Sequence, residues 1–445
     1  MSQPQTAAAA RLNSPAKVLG ASLVGTAIEF YDYYIYATAA VLVFGPLFFP
    51  TASPAAQTLL SLSTFSIAFI ARPVGSALFG HYGDRLGRKT TLVASLLVMG
   101  LSTFFIGLLP GEGQIGLAAP VLLCLLRFGQ GLGLGGEWGG AALVATENAP
   151  PGRRGLFGSF PQLGAPIGLL LANGAFFAVS SSMSPEDFMS WGWRIPFLAS
   201  AVLVMVGLYV RLSLEESPVY RQAEAQGKKV KVPLARVFGQ HGGAMLIGTL
   251  IMVATYVLFY LMTVFSQKYS VSPAATNAAG IVTGLGINKS LFLEMLMGAT
   301  LLFGAFTLIS GWLSDIIGRR TLLIWTTVAI AIFGFVLLPQ LLGQGTPGGV
   351  MIFLVLGMTL MGLTFGPMAA ILPELFPTEV RYTGASLAYN LASILGASVA
   401  TLVAVGLNDS YGLKGVGIYL GVCALVTLVA LLMARETSRD DLAQR

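Results

Sequence analysis

The chain has 445 residues, 55% of them hydrophobic and only 10% charged, with a net charge of +6. Soluble domains carry about a quarter charged residues, so this composition excludes an ordinary soluble enzyme or binding module and points to a bilayer protein. The positive balance is not a nucleic-acid signal, because the basic residues sit in short segments between apolar runs, where they set orientation.

Residues 1–17 are polar and the run from Val18 is long enough to span, so no removable signal peptide is expected. A spanning helix takes about 20 apolar residues. That length predicts spans at 18–43, 57–80, 89–109, 119–146, 155–180 and 192–212. It predicts six more at 241–266, 288–311, 321–341, 349–373, 382–406 and 413–434. The expected organisation is an N-terminal segment 1–17, a six-helix bundle 18–212, a linker 213–240, a second bundle 241–434 and a tail 435–445. The linker mixes Arg221, Lys228, Lys229, Lys231 and Arg236 with Glu215, Glu216 and Glu224, and reads as a surface segment with amphipathic helix. Cys124 and Cys423 fall inside spans of opposite halves, so neither a disulfide nor a metal site is expected.

Lys and Arg are concentrated on one side. That side holds Arg11, Lys17, Arg85, Arg88, Lys89, Arg153, Arg154, the linker, Arg319, Arg320 and Arg381; the other holds Arg194, Lys268, Lys289 and Lys414. Both termini and the linker are therefore expected to be cytoplasmic.

The chain repeats itself. Gly80, Asp84, Gly87, Arg88 and Lys89 match Gly311, Asp315, Gly318, Arg319 and Arg320, each 231 residues later. Glu147, Pro150 and Arg154 match Glu374, Pro377 and Arg381 at an offset of 227. A repeat that joins apolar spans implies a duplicated helical bundle. Gly83 and Gly87 allow a tight turn, and Asp84 can cap a neighbouring helix or meet an arginine across the bundle. Such contacts would form in one conformation and break in another; a solvated loop is the alternative. The candidate gating residues are Gly80, Asp84, Arg85, Arg88, Asp315, Arg319, Glu147, Arg154, Glu374 and Arg381. Gly131-Leu-Gly-Leu-Gly-Gly136 is not a nucleotide loop, because no strand precedes it; its glycines suit close helix packing.

Charges inside spans are expensive and usually face a cavity or a partner. The first half has Glu29, Asp32, Arg72, Arg127 and Glu137. Helix rise puts Glu29, Arg72 and Glu137 at roughly 12–17 Å from the basic side, and Asp32 and Arg127 at roughly 21–29 Å. Those depths permit an Asp32–Arg127 pair and a Glu29–Arg72–Glu137 cluster. Three acids then face two arginines, and the surplus carboxyl can shed its charge by taking a proton. Asp32 is the first candidate for that proton, with Glu29 and Glu137 in reserve; structural ion pairs are the alternative. In the second half Glu294 is expected to pair locally with Lys289. Candidate substrate contacts are Arg127, Arg72, Gln130, Tyr31, Gln162, Tyr256, Tyr260, Tyr389 and Asn390, with Asn173 nearby. Each uncharged one can equally serve as an interhelical hydrogen bond. Tyr31, Tyr33, Tyr34 and Tyr36 cannot all face one cavity.

These motifs resemble the major facilitator superfamily over the whole chain. Gly80–Lys89 with its copy resembles that superfamily's loop motif, and Arg127-Phe-Gly-Gln-Gly131 its fourth-span motif. More narrowly, Gly25-Thr-Ala-Ile-Glu-Phe-Tyr-Asp-Tyr-Tyr34, Arg72-Pro-Val-Gly75, Gly135-Gly-Glu-Trp138 and Pro373-Glu-Leu-Phe-Pro377 resemble the metabolite:proton symporters. That family includes carriers of α-ketoglutarate, citrate, shikimate and proline or betaine. Thr26 replaces an Asn common in the first motif, and Leu291-Phe-Leu-Glu294 looks most like the shikimate and "metabolite transport" branch. The tail lacks the heptads of the proline/betaine carrier. The resemblance implies an all-α fold of twelve helices in two six-helix halves, in the inner membrane. It implies proton symport of a small organic anion by alternating access. Two buried arginines suit a carboxylate. A zwitterionic osmolyte carrier, a non-transporting sensor and a membrane enzyme are the alternatives. His81 and His241 lie near the cytoplasmic face with no nucleophile constellation, which argues against the enzyme. The expected partners are an organic acid, a proton and the bilayer. No cofactor, metal or nucleic acid is expected, and the chain is expected to be a monomer.

Overall fold

A computed structural model describes residues 15–86, 88–212, 233–377 and 380–438, with the side chains at 15–18, 55, 80–81, 83–89 and 233–235 outside that description. Backbone polar groups have no water to meet inside a bilayer, so an apolar chain satisfies them within helices. Ten described stretches are long and apolar enough to cross a membrane. One of them, Arg381–Met433, doubles back at Gly412, where the backbone leaves helical geometry at φ 68°. The helix Pro15–Leu42 adds the remaining crossing. The spans are α1 (Pro15–Leu42), α2 (Pro54–Leu86), α3 (Arg88–Leu108), α4 (Ala118–Glu147), α5 (Arg154–Ser182) and α6 (Gly192–Leu212). The second set is α7 (Gly242–Val271), α8 (Lys289–Ile317), α9 (Arg319–Gly343), α10 (Pro347–Glu374), α11 (381–411) and α12 (413–433).

The duplication is visible in the packing. In the first half α1 packs on α5, α2 on α4 and α3 on α6; in the second, α7 packs on α11, α8 on α10 and α9 on α12. The halves meet where α2 packs on α11 and α5 on α8. Every one of these pairs has its counterpart six helices on. Glycine makes the tightest crossing: a methyl added at Gly131 or Gly135 would strike the Ala68 or Arg72 carbonyl of α2. Gly362 and Gly366, each 231 residues later, meet the carbonyls of Phe303 and Thr307 on α8 in the same way.

Some boundaries differ from the predicted ones. α2 continues from Pro54 to Leu86, with Pro73 accommodated inside it. α11 continues through Asn408 and Asp409 and ends in a sharp turn, because Gly412 supplies the positive φ that the turn requires. Between α7 and α8 a two-stranded ribbon, β1 (Ala275–Thr276) with β2 (Val282–Gly284), covers one face of the bundle. The repeated loop motifs lie at the opposite face. Gly318, at φ 96°, makes the turn between α8 and α9 there. Residues 213–232 of the linker lie outside the described residues. Its last part, Pro233–Gln240, is helical, and Val237 is buried against Phe376, Val380, Leu387 and Ala388. Among the described residues of the second half, three wide π-turns occur, at Leu261–Phe265, Phe333–Leu337 and Ile394–Ser398.

Candidate functional site

The centre of the first half is a charged set in an aromatic frame. The Arg127 guanidinium on α4 lies over the rings of Tyr36, Tyr33 and Phe65, at 4.0, 4.4 and 4.8 Å from their centroids. Arg72 on α2 lies over Tyr33 at 4.7 Å and Phe69 at 4.9 Å. The two cations are therefore neighbours across a single tyrosine ring. Arg127 is fully buried at 0% exposure, and its Nη1 donates to Gln130 Oε1 at 2.9 Å. Gln130 in turn donates to Thr103 Oγ1 at 2.7 Å. A π-face stabilises a desolvated cation without neutralising it, so both arginines keep their full charge.

The acids are arranged differently from the expectation. Glu137 forms a buried ion pair with Arg211 of α6. Arg211 is 7% exposed and also donates to the Leu92 carbonyl at 2.6 Å. The expected Glu29–Arg72–Glu137 cluster is thus replaced by a Glu137–Arg211 pair, and the acid surplus disappears: three acids face three arginines. Among the described residues no ion pair includes Glu29, Asp32, Arg72 or Arg127. The expected Asp32–Arg127 pair is absent because Arg127 is turned onto Gln130 and the rings. Asp32 Oδ1 and Oδ2, Glu29 Oε2, Arg72 Nε, and Arg127 Nε and Nη2 are all buried without a hydrogen-bond partner.

The second half contributes polar aromatics to this centre and no charge among its described residues. Tyr260 donates to the Tyr33 hydroxyl at 3.2 Å across the halves. Tyr256 is buried with its hydroxyl unpartnered and packs at 5.4 Å on Tyr389. Tyr389 stacks flat on Trp138 of α4, with centroids 3.9 Å apart and planes 5° from parallel. Trp138 Nε1 donates to Gln162 Oε1 at 3.0 Å, and Gln162 Nε2 donates to the Phe365 carbonyl at 3.0 Å. Asn390 donates to Ser76 Oγ at 2.7 Å. Gln162, Tyr389 and Asn390 thus tie the halves together in this conformation. Tyr31 faces away from the centre, its hydroxyl donating to the Pro196 carbonyl of α6 at 2.7 Å. Asn173 accepts from Thr38 Oγ1 at 3.3 Å.

The motif-bearing face is closed by the second-half motif. Asp315 accepts from the backbone N–H groups of Gly155 and Leu156 at 2.8 and 2.9 Å, capping the start of α5. Helix N-termini favour such a carboxylate. Arg319 lies 3.2 Å from Asp315 and 2.9 Å from Glu374, and Arg154 of the first half lies 3.0 Å from Glu374. The tail joins in: Thr437 Oγ1 donates to Glu374 Oε2 at 2.6 Å. Glu436 accepts from the N–H groups of Arg319 and Arg320, at 3.0 and 2.9 Å. Burial pushes the Glu436 carboxyl up, but hydrogen bonds from Ser438, Arg319 and Arg320 outweigh it and hold it below the usual carboxylate value. Arg381 is buried and donates to the Phe376 carbonyl at 3.3 Å. Glu147 is exposed at the end of α4. The side chains of Gly80, Asp84, Arg85 and Arg88 lie outside the described residues.

On the ribbon-bearing face Lys289 lies 3.7 Å above the Phe188 ring, from the connection between α5 and α6. It forms no described ion pair with Glu294, which is exposed. The local Glu294–Lys289 pair is replaced by this contact between halves.

Sequence reasoning missed Arg211, the aromatic frame and the tail contacts. Arg211 was legible as a charge in the last turn of its own predicted span. Trp138 stood in a noted motif without a role.

The model of the "Sugar (and other) transporter" family matches residues 17–444. The chain is 58% identical over 431 residues to the inner membrane metabolite transport protein YhjE of Escherichia coli (strain K12), covering 97% of this chain and 96% of that one. It is 34% identical over 427 residues to the shikimate transporter of the same organism, with 94% of each covered. Among solved structures, the proton:xylose symporter XylE bound to 6-bromo-6-deoxy-D-glucose superposes with a TM-score of 0.74 at 18% identity, over 94% of each chain. That likeness shows the major facilitator fold.

Proposed function

Because the chain belongs to the sugar (and other) transporter family of the major facilitator superfamily, a family of transporters and not enzymes, we propose that it carries a small organic anion together with protons across the inner membrane. Both termini and the motif-bearing face are cytoplasmic in this reading, and segments 18–212 and 241–434 rock about the central site.

One observation carries the anion: among the described residues neither Arg72 nor Arg127 forms an ion pair, and both hold buried unpartnered N–H donors. A carboxylate is the natural occupant of such a fork. The same rings that would cage a quaternary ammonium already hold the protein's own guanidiniums, which weighs against the osmolyte reading.

Asp32 is the proposed coupling carboxyl. It shares the buried centre with Arg127, and both its oxygens are unpartnered. In this reading Arg127 has two alternative partners: the substrate carboxylate when the site is loaded, and Asp32 in an unloaded conformation other than the described one, in which Arg127 lies on Gln130 and the rings. With Arg127 committed to the substrate, Asp32 is left without a counter-charge and takes a proton, so anion and proton travel together. Reciprocity of linkage then requires protonation to tighten anion binding. The names of relatives agree with a metabolite as cargo.

A thermal-shift screen of the purified protein against organic acids, proline and betaine, followed by uptake into liposomes under an imposed proton gradient, tests this. Carboxylates are expected to stabilise the protein and to accumulate with the gradient. Stabilisation by betaine or proline alone would contradict it.

A further inference from the structure

Lys268 stands in the last turn of α7, on the ribbon-bearing side, and is half-buried. A charge within a span faces a partner or a cavity. The only hydrogen bond described for its side chain is from Nζ to Ser272 Oγ, at 2.8 Å. Among the described residues it forms no ion pair. Asp409 of α11 attracts it through space, from beyond ion-pair distance. What Lys268 faces is a cavity of about 60 Å³ between the halves. Lys268 is its wall from the second half; Ala40, Gly45, Gln57, Thr58 and Ser61 are among its walls from the first.

The first-half wall is polar, and one hydroxyl in it is unused. Gln57 Nε2 donates to the Ala52 carbonyl and Thr58 Oγ1 to the Pro54 carbonyl, both at 3.1 Å. Ser61 is 0% exposed, and its Oγ has no hydrogen-bond partner. A buried polar group left unpaired costs stability. The ammonium of Lys268 has three donors, and one is spent on Ser272. A cation and an unpaired hydroxyl meet here in a cavity that no acid lines among the described residues. That is the chemistry of an anion site. A single water needs about 10–15 Å³ of such space, so the cavity has room for a carboxylate group.

The cavity lies next to the buried centre. Ala40 and Ser61 are each four residues from Tyr36 and Phe65, the rings on which the Arg127 guanidinium lies. Four helical residues rise about 6 Å. The two levels are also bonded to each other. The Tyr36 hydroxyl donates to Thr64 Oγ1, which donates to the Ser61 carbonyl, each at 2.7 Å.

Resting on the organic-anion reading above, we infer that Lys268 and Ser61 form a second carboxylate site, an entry site from which the substrate carboxylate passes to Arg127. Taking an anion out of water is costly unless a counter-charge receives it. Lys268 supplies that charge one helical turn before Arg127. It stands on the ribbon-bearing side alone, so its loss weakens capture from that face and not from the motif-bearing face.

The test uses the full chain in liposomes, without Cys124 and Cys423 and with Thr58→Cys as reporter. Acetate, small enough for the cavity, is the probe. It is expected to slow labelling of Thr58→Cys by a methanethiosulfonate reagent, and acetamide, similar in size and uncharged, is not. A sulfonate-bearing reagent is expected to react faster than a trimethylammonium-bearing one. Lys268→Gln should cut that preference about tenfold, the scale of electrostatic steering, and abolish protection by acetate. Ser61→Ala should weaken protection and keep the preference, because the charge remains; it decides the matter should Lys268→Gln not fold. For a carboxylate that accumulates in the uptake test above, Lys268→Gln should raise the half-saturating concentration at the ribbon-bearing face only. Equal effects of acetate and acetamide, protection that survives Lys268→Gln or is unchanged in Ser61→Ala, or an equal rise at both faces overturns this inference and leaves the organic-anion reading intact. Lys268-dependent protection in a protein that accumulates no carboxylate would overturn that reading, and the entry role with it.

Discussion

Trp138 of the first half lies flat on Tyr389 of the second, 3.9 Å away, and its indole N–H is held by Gln162. The stack joins α4 to α11 between the charged centre and the motif-bearing face. It must separate if that face is to open. Aromatic pairs contribute about 0.5–1.5 kcal/mol beyond their buried area. In a background without Cys124 and Cys423, Trp138→Ala should therefore raise maleimide labelling of a cysteine at Ser386 about twofold to tenfold from the motif-bearing face. Unchanged labelling would mean that the stack does not bias the two conformations.

The Glu137–Arg211 pair gives a stability prediction. Arg211→Ala leaves a carboxylate buried beside Gly25 with no counter-charge. Breaking one partner of a buried pair costs about 3–5 kcal/mol. The variant should unfold at a clearly lower temperature in detergent, and adding Glu137→Ala should recover part of the loss. A single variant as stable as the wild type would show that the pair is not what holds α6 to α4.

The tail contact gives a pH dependence. Glu436 is held below the usual carboxylate value by hydrogen bonds from Ser438 beside it and from the Arg319 and Arg320 N–H groups, the latter existing only when the tail is docked there. A depressed carboxyl contributes its stabilisation above the ordinary value, about 4.3, and loses it as pH falls through the lowered one. Protection of the Arg319 and Arg320 amides, corrected for intrinsic exchange, should be constant from neutrality down to that range and then fall. Glu436→Gln should remove the dependence. Protection that tracks pH identically in both proteins would exclude Glu436 as its origin.

The duplication was readable because Gly80 to Lys89 and Gly311 to Arg320 keep identity at fixed spacing. The twelve crossings were readable because apolar length is set by the bilayer. The buried charges were readable for the same reason: Glu29, Asp32, Arg72, Arg127 and Glu137 stand out in apolar runs. Their pairing was not. Depth along a helix says nothing about azimuth, so Glu137 was placed with Arg72 at its level while it faces Arg211 on α6. Lys289 was matched to Glu294 one and a half turns away, whereas its contact is Phe188, about a hundred residues distant in sequence. Arg127 shows the remaining gap: a guanidinium can be accommodated by Tyr33, Tyr36 and Phe65, and no spacing rule announces that choice.

The central claim is that Asp32 takes a proton when substrate loads. Asp32→Asn fixes the neutral form, so binding and carrier exchange should survive while work against a gradient is lost. The most direct measurement compares the two in the same liposomes: counterflow of a labelled carboxylate substrate at equal pH on both sides, and accumulation driven by an inward proton gradient. The account expects Asp32→Asn to retain counterflow, with binding less dependent on pH, and to show no accumulation. Accumulation at the wild-type level by Asp32→Asn, with loss in Glu29→Gln or Glu137→Gln instead, would contradict it.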